Sequence, residues 1–110
     1  MNKIDKMVSR MIDFALENPE LSPSKVLVIN LGKNTLEKVL TPSRMNLIRT
    51  IRESNPKSVS NLARLVKRPI EAVSRDLSIL ENYGIMEFVR NGKTKKPKIE
   101  NDMILIPLTY

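Results

Sequence analysis

The sequence predicts an α+β fold that is mostly helical, and three observations lead to this prediction. In several segments of the first 83 residues, apolar side chains recur at the i, i+3, i+4, i+7 spacing of an amphipathic helix. After residue 85 the pattern becomes extended, and Asn91-Gly92 is a dipeptide that strongly favours a two-residue β-hairpin turn of type I′, which needs a positive φ at both central positions. Short apolar runs at 26–29 and 103–106 predict flanking strands. The expected architecture is a three-helix core followed by a β-hairpin, with an N-terminal helix and short strands around it.

Residues 1–40 are predicted to be an extension of a core domain that spans 41–110. The extension opens with an amphipathic helix that ends at Asn18-Pro19, because proline disfavours helical geometry in the residue before it. The apolar stripe of this helix includes Phe14 and is wider than one neighbouring helix would cover. Either the helix packs on its own domain, or part of the stripe contacts a second copy of the chain and forms a dimer.

Two short elements complete the predicted extension. Residues 26–29 form a run in which β-branched side chains dominate, which indicates a short buried strand. Asn34 and Glu37 have the spacing of a capping box, with Asn34 as the N-cap. A brief helix that ends at Leu40 is therefore expected.

Three helices are predicted in the core, and each begins at residues suited to that position. Thr41 is an N-cap followed by Pro42 at the first helical position. Ser58 caps the second helix, and Pro69 stands in the first turn of the third. The third helix ends near Gly84, which suits a left-handed C-cap. In the first helix, the inner face is assigned to Leu47, Ile48 and Ile51, and the outer face to Arg44, Arg49 and Arg52.

Cysteine and histidine are both absent from the chain. Their absence removes disulfides, thiol nucleophiles, Cys/His zinc sites and histidine acid–base catalysis. The three glycines, Gly32, Gly84 and Gly92, are too widely spaced for a glycine-rich phosphate loop. The composition therefore predicts a protein that is not an enzyme and that uses no metal or cofactor. No run approaches the roughly 18 consecutive apolar residues of a membrane span, so we expect no membrane association and a cytoplasmic, nucleoid-associated location.

The net charge of the chain is +7, and the excess lies in the central part of the sequence. Residues 41–100 carry thirteen basic and six acidic side chains, a surplus of seven, whereas residues 1–40 have a surplus of one. A basic surface confined to one part of a chain predicts an acidic partner such as nucleic acid. The alternative is a solvated surface that only improves solubility.

Three helices, with the second and third joined by a short turn and followed by a basic hairpin, are typical of a winged helix-turn-helix. Two segments resemble the small archaeal and bacterial winged-helix transcriptional regulators related to the MarR and ArsR groups. Ser60–Leu65 is similar to their S-x-LA-x-L second helix, and Val73–Leu80 to their V-S-R-x-L-x-x-L recognition helix. Tyr83–Ile85 resembles the helix end before their wing, and the resemblance covers about residues 41–108.

The chain departs from this family pattern in two respects. Pro69 stands where a polar or acidic residue usually starts the recognition helix, which affects the angle at which that helix begins. The metal-binding cysteines and histidines of the ArsR group are missing, which argues against metal sensing.

The third core helix is predicted to contact DNA bases. Steps of about 100° per residue divide it into two faces. The apolar face, assigned to the core, contains Ile70, Val73, Leu77 and Leu80. The opposite face, assigned to the major groove, contains Glu71, Arg75, Ser78 and Asn82. Arg75 is the first candidate because arginine pairs bidentately with guanine, although it could instead form only a surface salt bridge with Glu71. Ile79 either contacts a thymine methyl group or, as we prefer, packs under the wing.

Two further groups are assigned to the DNA backbone, because hydroxyl and basic side chains are the usual phosphate ligands. The first group, on the second helix, the turn and the flank of the third helix, contains Ser58, Ser60, Arg64, Lys67, Arg68 and Ser74. The second group, on the wing, contains Arg90, Lys93, Lys95, Lys96 and Lys98. A cationic hairpin could alternatively serve only to protect a strand edge from aggregation.

Together these observations predict a homodimeric, sequence-specific double-stranded DNA-binding regulator of transcription, with repression as the simplest mechanism. Duplex DNA is preferred over single strands because two Phe and two Tyr provide few stacking platforms. Two alternatives are a winged helix that binds another protein and a chromatin-type protein that binds DNA without regard to sequence. The sequence does not say which small-molecule effector, if any, is bound.

Overall fold

The computed structural model describes residues 3–17, 26–29, 31 and 35–106. The fold is α+β and mostly helical, as predicted. In chain order the elements are α1 (Lys3–Glu17), β1 (Val26–Val28), α2 (Leu36–Val39), α3 (Pro42–Ser54), α4 (Val59–Val66), α5 (Ile70–Asn82), β2 (Glu87–Asn91), β3 (Thr94–Lys98) and β4 (Met103–Leu105). In the described part of the chain, no helix is long and apolar enough to cross a lipid bilayer.

The chain divides into two compact units. One contains Met1–Asn30 and Asn101–Tyr110, and the other contains Leu31–Glu100. The predicted division after residue 40 differs from this one, because α2 belongs to the larger unit and β4 to the smaller one.

The smaller unit contains α1 and a two-stranded parallel sheet. β1 pairs with β4 in the register Val26–Met103, Leu27–Ile104 and Val28–Leu105. The backbone N–H of Ile29 extends the pairing by donating to the carbonyl of Leu105 at 2.9 Å. α1 ends at Glu17, as predicted, and its described apolar side chains are exposed. They are Val8, Ile12, Phe14 and Leu16.

In the larger unit, α3 and α4 begin where the sequence predicts. The Thr41 hydroxyl oxygen accepts a hydrogen bond from the Arg44 N–H at 3.2 Å, and α3 ends at Asn55 in a left-handed conformation. The Ser58 hydroxyl oxygen accepts from the Asn61 N–H at 3.0 Å. Lys67 closes α4 in a left-handed conformation with φ 56°. α2 is capped by Thr35, without a side-chain hydrogen bond, and the predicted N-cap Asn34 lies outside the described residues.

The core of the larger unit lies among α2 to α5 and the start of the hairpin. The buried apolar side chains are Leu31, Val39, Leu47, Ile51, Leu62, Ala63, Val73, Leu77, Leu80, Ile85 and Met86. Val73, Leu77 and Leu80 confirm the predicted inner face of α5. The assignment of Ile70 to the core is wrong, since its side chain is 40% exposed. Ile70 is the first residue of α5, and this end of the helix lies at the edge of the core.

β2 and β3 form the antiparallel hairpin. Their register pairs Phe88 with Pro97 and Asn91 with Thr94, so the turn residues are Gly92 and Lys93. Gly92 has φ 66° and Lys93 has no positive φ. The predicted type I′ turn centred on Asn91-Gly92 is therefore wrong, because a positive φ at the first central position alone is the requirement of type II′. Gly84, before the hairpin, has the predicted positive φ, at 77°.

Candidate nucleic-acid interface

The outer face of α5 is polar and open to solvent. Glu71, Arg75, Ser78 and Asn82 are all exposed, on the side of the helix opposite its buried aliphatic residues. The guanidinium of Arg75 makes no salt bridge or hydrogen bond within the part of the chain that the structure describes. The alternative interpretation of Arg75, a salt bridge with Glu71, is therefore not observed, and its five N–H donors remain available to a ligand.

Two of the other predicted base contacts lie in different surroundings. The Ser78 hydroxyl donates to the Ser74 carbonyl at 3.0 Å, so its oxygen is left to act as an acceptor. Asn82 lies at the C-terminal end of α5, on the rim of a pocket of about 340 Å³. The remaining lining residues of that pocket are Lys38, Val39, Arg44, Ile79 and Tyr83.

Ile79 is half-buried in this same pocket, beside α2. None of the residues that line this pocket belongs to the hairpin, and the packing of Ile79 under the wing stays a prediction. An apolar side chain on the outer side of α5 thus has a structural reason without a ligand.

Four of the predicted phosphate ligands come together around one open pocket, which we call the cationic pocket. It measures about 540 Å³ and is lined by Ser60, Ala63, Arg64, Lys67, Arg68 and Ile70. Within the described residues, the exposed side chains of Arg64 and Lys67 form no ion pair. Two unneutralised cations beside a serine hydroxyl are suited to an anion such as phosphate.

Ser58 and Ser74 stand apart from the residues that line this pocket. The Ser58 oxygen already accepts from the Asn61 N–H as the cap of α4, so only its hydroxyl hydrogen remains to donate to a ligand. Ser74 lies exposed on the flank of α5. Either serine could add a hydrogen bond to a phosphate but no charge.

Asp76 binds two arginines on the inward flank of α5, and we call these three residues the Asp76 cluster. The Arg44 Nε donates to Asp76 Oδ1 at 3.1 Å, and the Arg68 Nη2 donates to Asp76 Oδ2 at 2.8 Å. Arg44 also donates through Nη1 to the carbonyls of Lys38 at 2.7 Å and Val39 at 3.1 Å. The placement of Arg44 on the outer face of α3 is therefore wrong, because its side chain turns inward to join α2, α3 and α5.

Arg68 is held more firmly than a surface arginine. Its side chain is 27% exposed, and its Nη1 atom is buried without a hydrogen-bond partner in the described part of the chain. A buried donor without a partner is destabilising and normally requires a compensating interaction. The charge-assisted bond from Nη2 to Asp76 supplies that compensation.

The five cations of the hairpin have four kinds of surroundings. Lys98 pairs with Glu100 at 3.0 Å, and Lys95 lies with its Nζ 5.3 Å from the centre of the Phe88 ring. Lys96 is half-buried. Arg90 and Lys93 are exposed and have no ion pair among the described residues.

Arg90 stands directly opposite Lys95 in the hairpin register. Like charges at directly opposite positions of a β-ladder destabilise it. An anion bound between Arg90 and Lys95 would remove this repulsion, so anion binding should stabilise the hairpin.

Two features of this surface differ from what the sequence predicts. Ile70 was assigned to the core but lies exposed at the start of α5, on the edge of the cationic pocket. Asp76 was assigned no role, although its spacing from the buried residues Val73 and Leu77 would have placed it beside the core, where a carboxylate requires a cationic partner.

In the described part of the chain, no three acidic side chains come together in a way that could hold a metal ion. The groups that converge are cations and hydroxyls, which bind anions.

No curated protein matches the chain. The profile of the HVO_A0114 family matches residues 39–106, which is well over half of the sequence and includes α3, α4, α5 and the hairpin. The chain belongs to the HVO_A0114 family.

Proposed function

We propose that this chain is a winged helix-turn-helix protein that binds double-stranded DNA in a sequence-specific manner and represses transcription. The order of α3, α4, α5 and hairpin supports this proposal, with a three-residue connection from Lys67 to Pro69 between α4 and α5. In a winged helix-turn-helix, α5 is the recognition helix and the β2–β3 hairpin is the wing. β3 contacts both α3 and α4, which ties the hairpin to the helical core.

The observation that carries the proposal is the guanidinium of Arg75 on the exposed face of α5, which has no salt bridge or hydrogen bond among the described residues. The major groove admits a helix, and arginine pairs bidentately with the O6 and N7 atoms of guanine. Glu71, one turn earlier, is an acceptor suited to the N4 amino group of cytosine. α5 thus presents a donor and an acceptor at helical spacing, as base contact requires.

The cationic pocket and the hairpin are proposed to bind the sugar-phosphate backbone. Arg64 and Lys67 supply positive charge on one side of α5, and Arg90 and Lys93 supply it on the hairpin; none of the four has an ion pair within the described ranges. Contacts of this kind position the protein and provide affinity, but they do not distinguish sequences. Affinity is therefore assigned to the cations of the pocket and of the hairpin, and specificity to α5.

Ile70 is proposed to contact a thymine methyl group. Residues in the first turn of a recognition helix approach base edges most closely, and Ile70 is the first residue of α5. Its exposed side chain offers an apolar surface beside the two free cations of the pocket. Apolar contact with the thymine C5-methyl group is a recognised form of base discrimination.

Homodimerisation is proposed through α1. Val8, Ile12 and Leu16 recur every four residues along this helix and are 40%, 50% and 76% exposed. An apolar stripe of this kind on a helix is suited to burial against the same helix of a second copy. Two recognition helices would then meet half-sites about 34 Å apart along the duplex.

Binding-site selection from a random duplex library with purified protein tests the proposal. We expect a roughly palindromic consensus that contains guanine at symmetry-related positions, and retardation of that duplex in a mobility-shift assay. Retardation of all duplexes equally would favour the chromatin-type alternative. No retardation of any duplex at low ionic strength would overturn the proposal and favour the protein-binding alternative.

A further inference from the structure

We propose that Asp76 has two effects on DNA binding: it withholds Arg68 from the phosphate backbone, which limits sequence-independent affinity, and it fixes α5, which keeps Arg75 in position for specific contact. The inference rests on the proposed function, because it concerns how the same surface distinguishes its operator from other DNA. Arg68 was expected to bind phosphate directly. The structure assigns it instead to an internal ion pair, and Asp76 is the residue that keeps it there.

The geometry of the carboxylate supports this role. Each oxygen of Asp76 accepts from a different arginine, at 3.1 Å from Arg44 and at 2.8 Å from Arg68. Both pairs are largely shielded from solvent, with the Asp76 side chain 14% exposed. In such surroundings a charge-assisted hydrogen bond is stronger than the same bond in water.

The position of Arg68 explains why it has to be held. Arg68 lines the cationic pocket together with Arg64 and Lys67, which carry no counter-ion in the described part of the chain. Without Asp76, the mutual repulsion of these cations would move the guanidinium of Arg68 outward. A third cation would then be available to any phosphate, whatever the sequence of the duplex.

Asp76 also fixes the recognition helix. Arg44 connects it to the carbonyls of Lys38 and Val39, so the carboxylate joins α5 to α2 and α3. Asp76 is the neighbour of Arg75, and a small rotation of α5 about its axis would displace the base-contacting guanidinium. The carboxylate of Asp76 thus prevents a non-specific contact between Arg68 and phosphate, and it holds Arg75 in position for a specific contact with a base.

The test compares Asp76→Asn with Glu81→Gln, which removes the same charge from an exposed position on the same helix. Affinity is measured by fluorescence anisotropy between 50 and 300 mM KCl, on the selected operator and on a random duplex. For Asp76→Asn we expect the slope of log K against log salt to steepen by about 0.9 for each new phosphate contact. The ratio of operator to random affinity should fall about tenfold, consistent with loss of one base contact. Glu81→Gln should leave slope and ratio nearly unchanged.

Three further variants assign the effect to Arg68. The double variant Asp76→Asn/Arg68→Met should recover the wild-type slope, since the released cation is gone. Asp76→Glu keeps the charge and should keep the slope. Arg68→Met alone should also keep the wild-type slope, because Arg68 makes no phosphate contact while Asp76 holds it.

Each result decides the question. A folded Asp76→Asn variant with an unchanged slope, or an Arg68→Met variant whose slope falls by about 0.9, would overturn the inference while leaving DNA binding intact. If circular dichroism shows that Asp76→Asn does not fold, Arg68→Met still provides the test. Absence of binding by the wild-type protein would instead overturn the proposed function.

Discussion

The Asp76 cluster and the β2–β3 hairpin are both rich in cations, yet the two regions use them in different ways. In the cluster, Arg44 and Arg68 meet a carboxylate and backbone carbonyls, so their charge holds helices together. On the hairpin, Arg90 and Lys93 are exposed and unpaired within the described residues, and Arg90 faces another cation. Positive charge in a sequence therefore has two distinct uses, structural and ligand-binding, and only the partners of each side chain separate them.

The largest expected effect is a loss of folding stability when Asp76, the carboxylate of the cluster, is replaced. Asp76→Ala should lower the free energy of unfolding by about 3 kcal/mol, because two charge-assisted hydrogen bonds are lost and two arginines are left near the core. Urea unfolding followed by circular dichroism measures the change. Glu81→Ala, at an exposed position on the same helix, should change it by less than about 0.5 kcal/mol. A loss below about 1 kcal/mol for Asp76→Ala would show that the cluster adds little to stability.

On the hairpin, the expected effect is on binding and not on folding. Replacing Lys93, Lys95 and Lys96 by Ala should reduce the salt slope of DNA affinity by up to about 2.7, since three fewer counterions are displaced. Between 50 and 200 mM salt this corresponds to a roughly fortyfold smaller loss of affinity. The double variant Lys6→Ala/Arg10→Ala removes exposed cations of α1 and should leave the slope unchanged. An unaltered slope in the triple variant would place the hairpin outside the interface.

Arg75 belongs to neither region, and its replacement should separate specific from non-specific binding. Arg75→Ala is expected to weaken operator binding by about 2 kcal/mol, the contribution of one bidentate contact to guanine. Binding to a random duplex, which depends on the hairpin and the pocket, should be nearly unchanged. Equal losses on both duplexes, measured by the same titration, would indicate a protein that binds DNA without regard to sequence.

The smallest effect is expected at Ile70. Replacing one operator thymine by uracil removes a single methyl group and should weaken binding by about 0.8 kcal/mol if an apolar side chain covers it. Each thymine of the consensus is replaced in turn, with wild type and with Ile70→Ala. The loss at one symmetry-related position should be present in wild type and absent in Ile70→Ala. Identical profiles for the two proteins would exclude the contact.

The helical part of the fold could be predicted because its signals are local. Thr41-Pro42 and Ser58 determine where α3 and α4 begin, and the period of Val73, Leu77 and Leu80 determines which side of α5 is buried. Each of these features depends on residues within about one or two turns of one another. The turn type of the hairpin could not be predicted equally well, because a shift of the strand register by one residue changes which positions need a positive φ.

The ion-pair partner of Arg44 could not be predicted from the sequence because it is distant along the chain. Arg44 and Asp76 are 32 residues apart, and no local pattern connects them. The helical period itself places Arg44 on the inner face of α3, since Leu47 and Ile51 follow it at i+3 and i+7, so its assignment to the outer face was an error of interpretation. What the period does not show is that Arg44 binds the carbonyls at the end of α2. Ile70 was misplaced for a related reason, since periodicity describes an infinite helix and Ile70 stands at an end.

The turn between α4 and α5 carries a further consequence. Lys67 occupies the left-handed region with φ 56°, a conformation that costs a residue with a β-carbon roughly 1 kcal/mol more than glycine. Glycine at this position would relax the backbone, but it would also remove a cation of the pocket that has no ion pair in the described part of the chain. A substitution of Lys67 by glycine would therefore raise thermostability and lower anion affinity at the same time. A more heat-resistant variant that keeps its anion affinity needs stabilising substitutions at other positions.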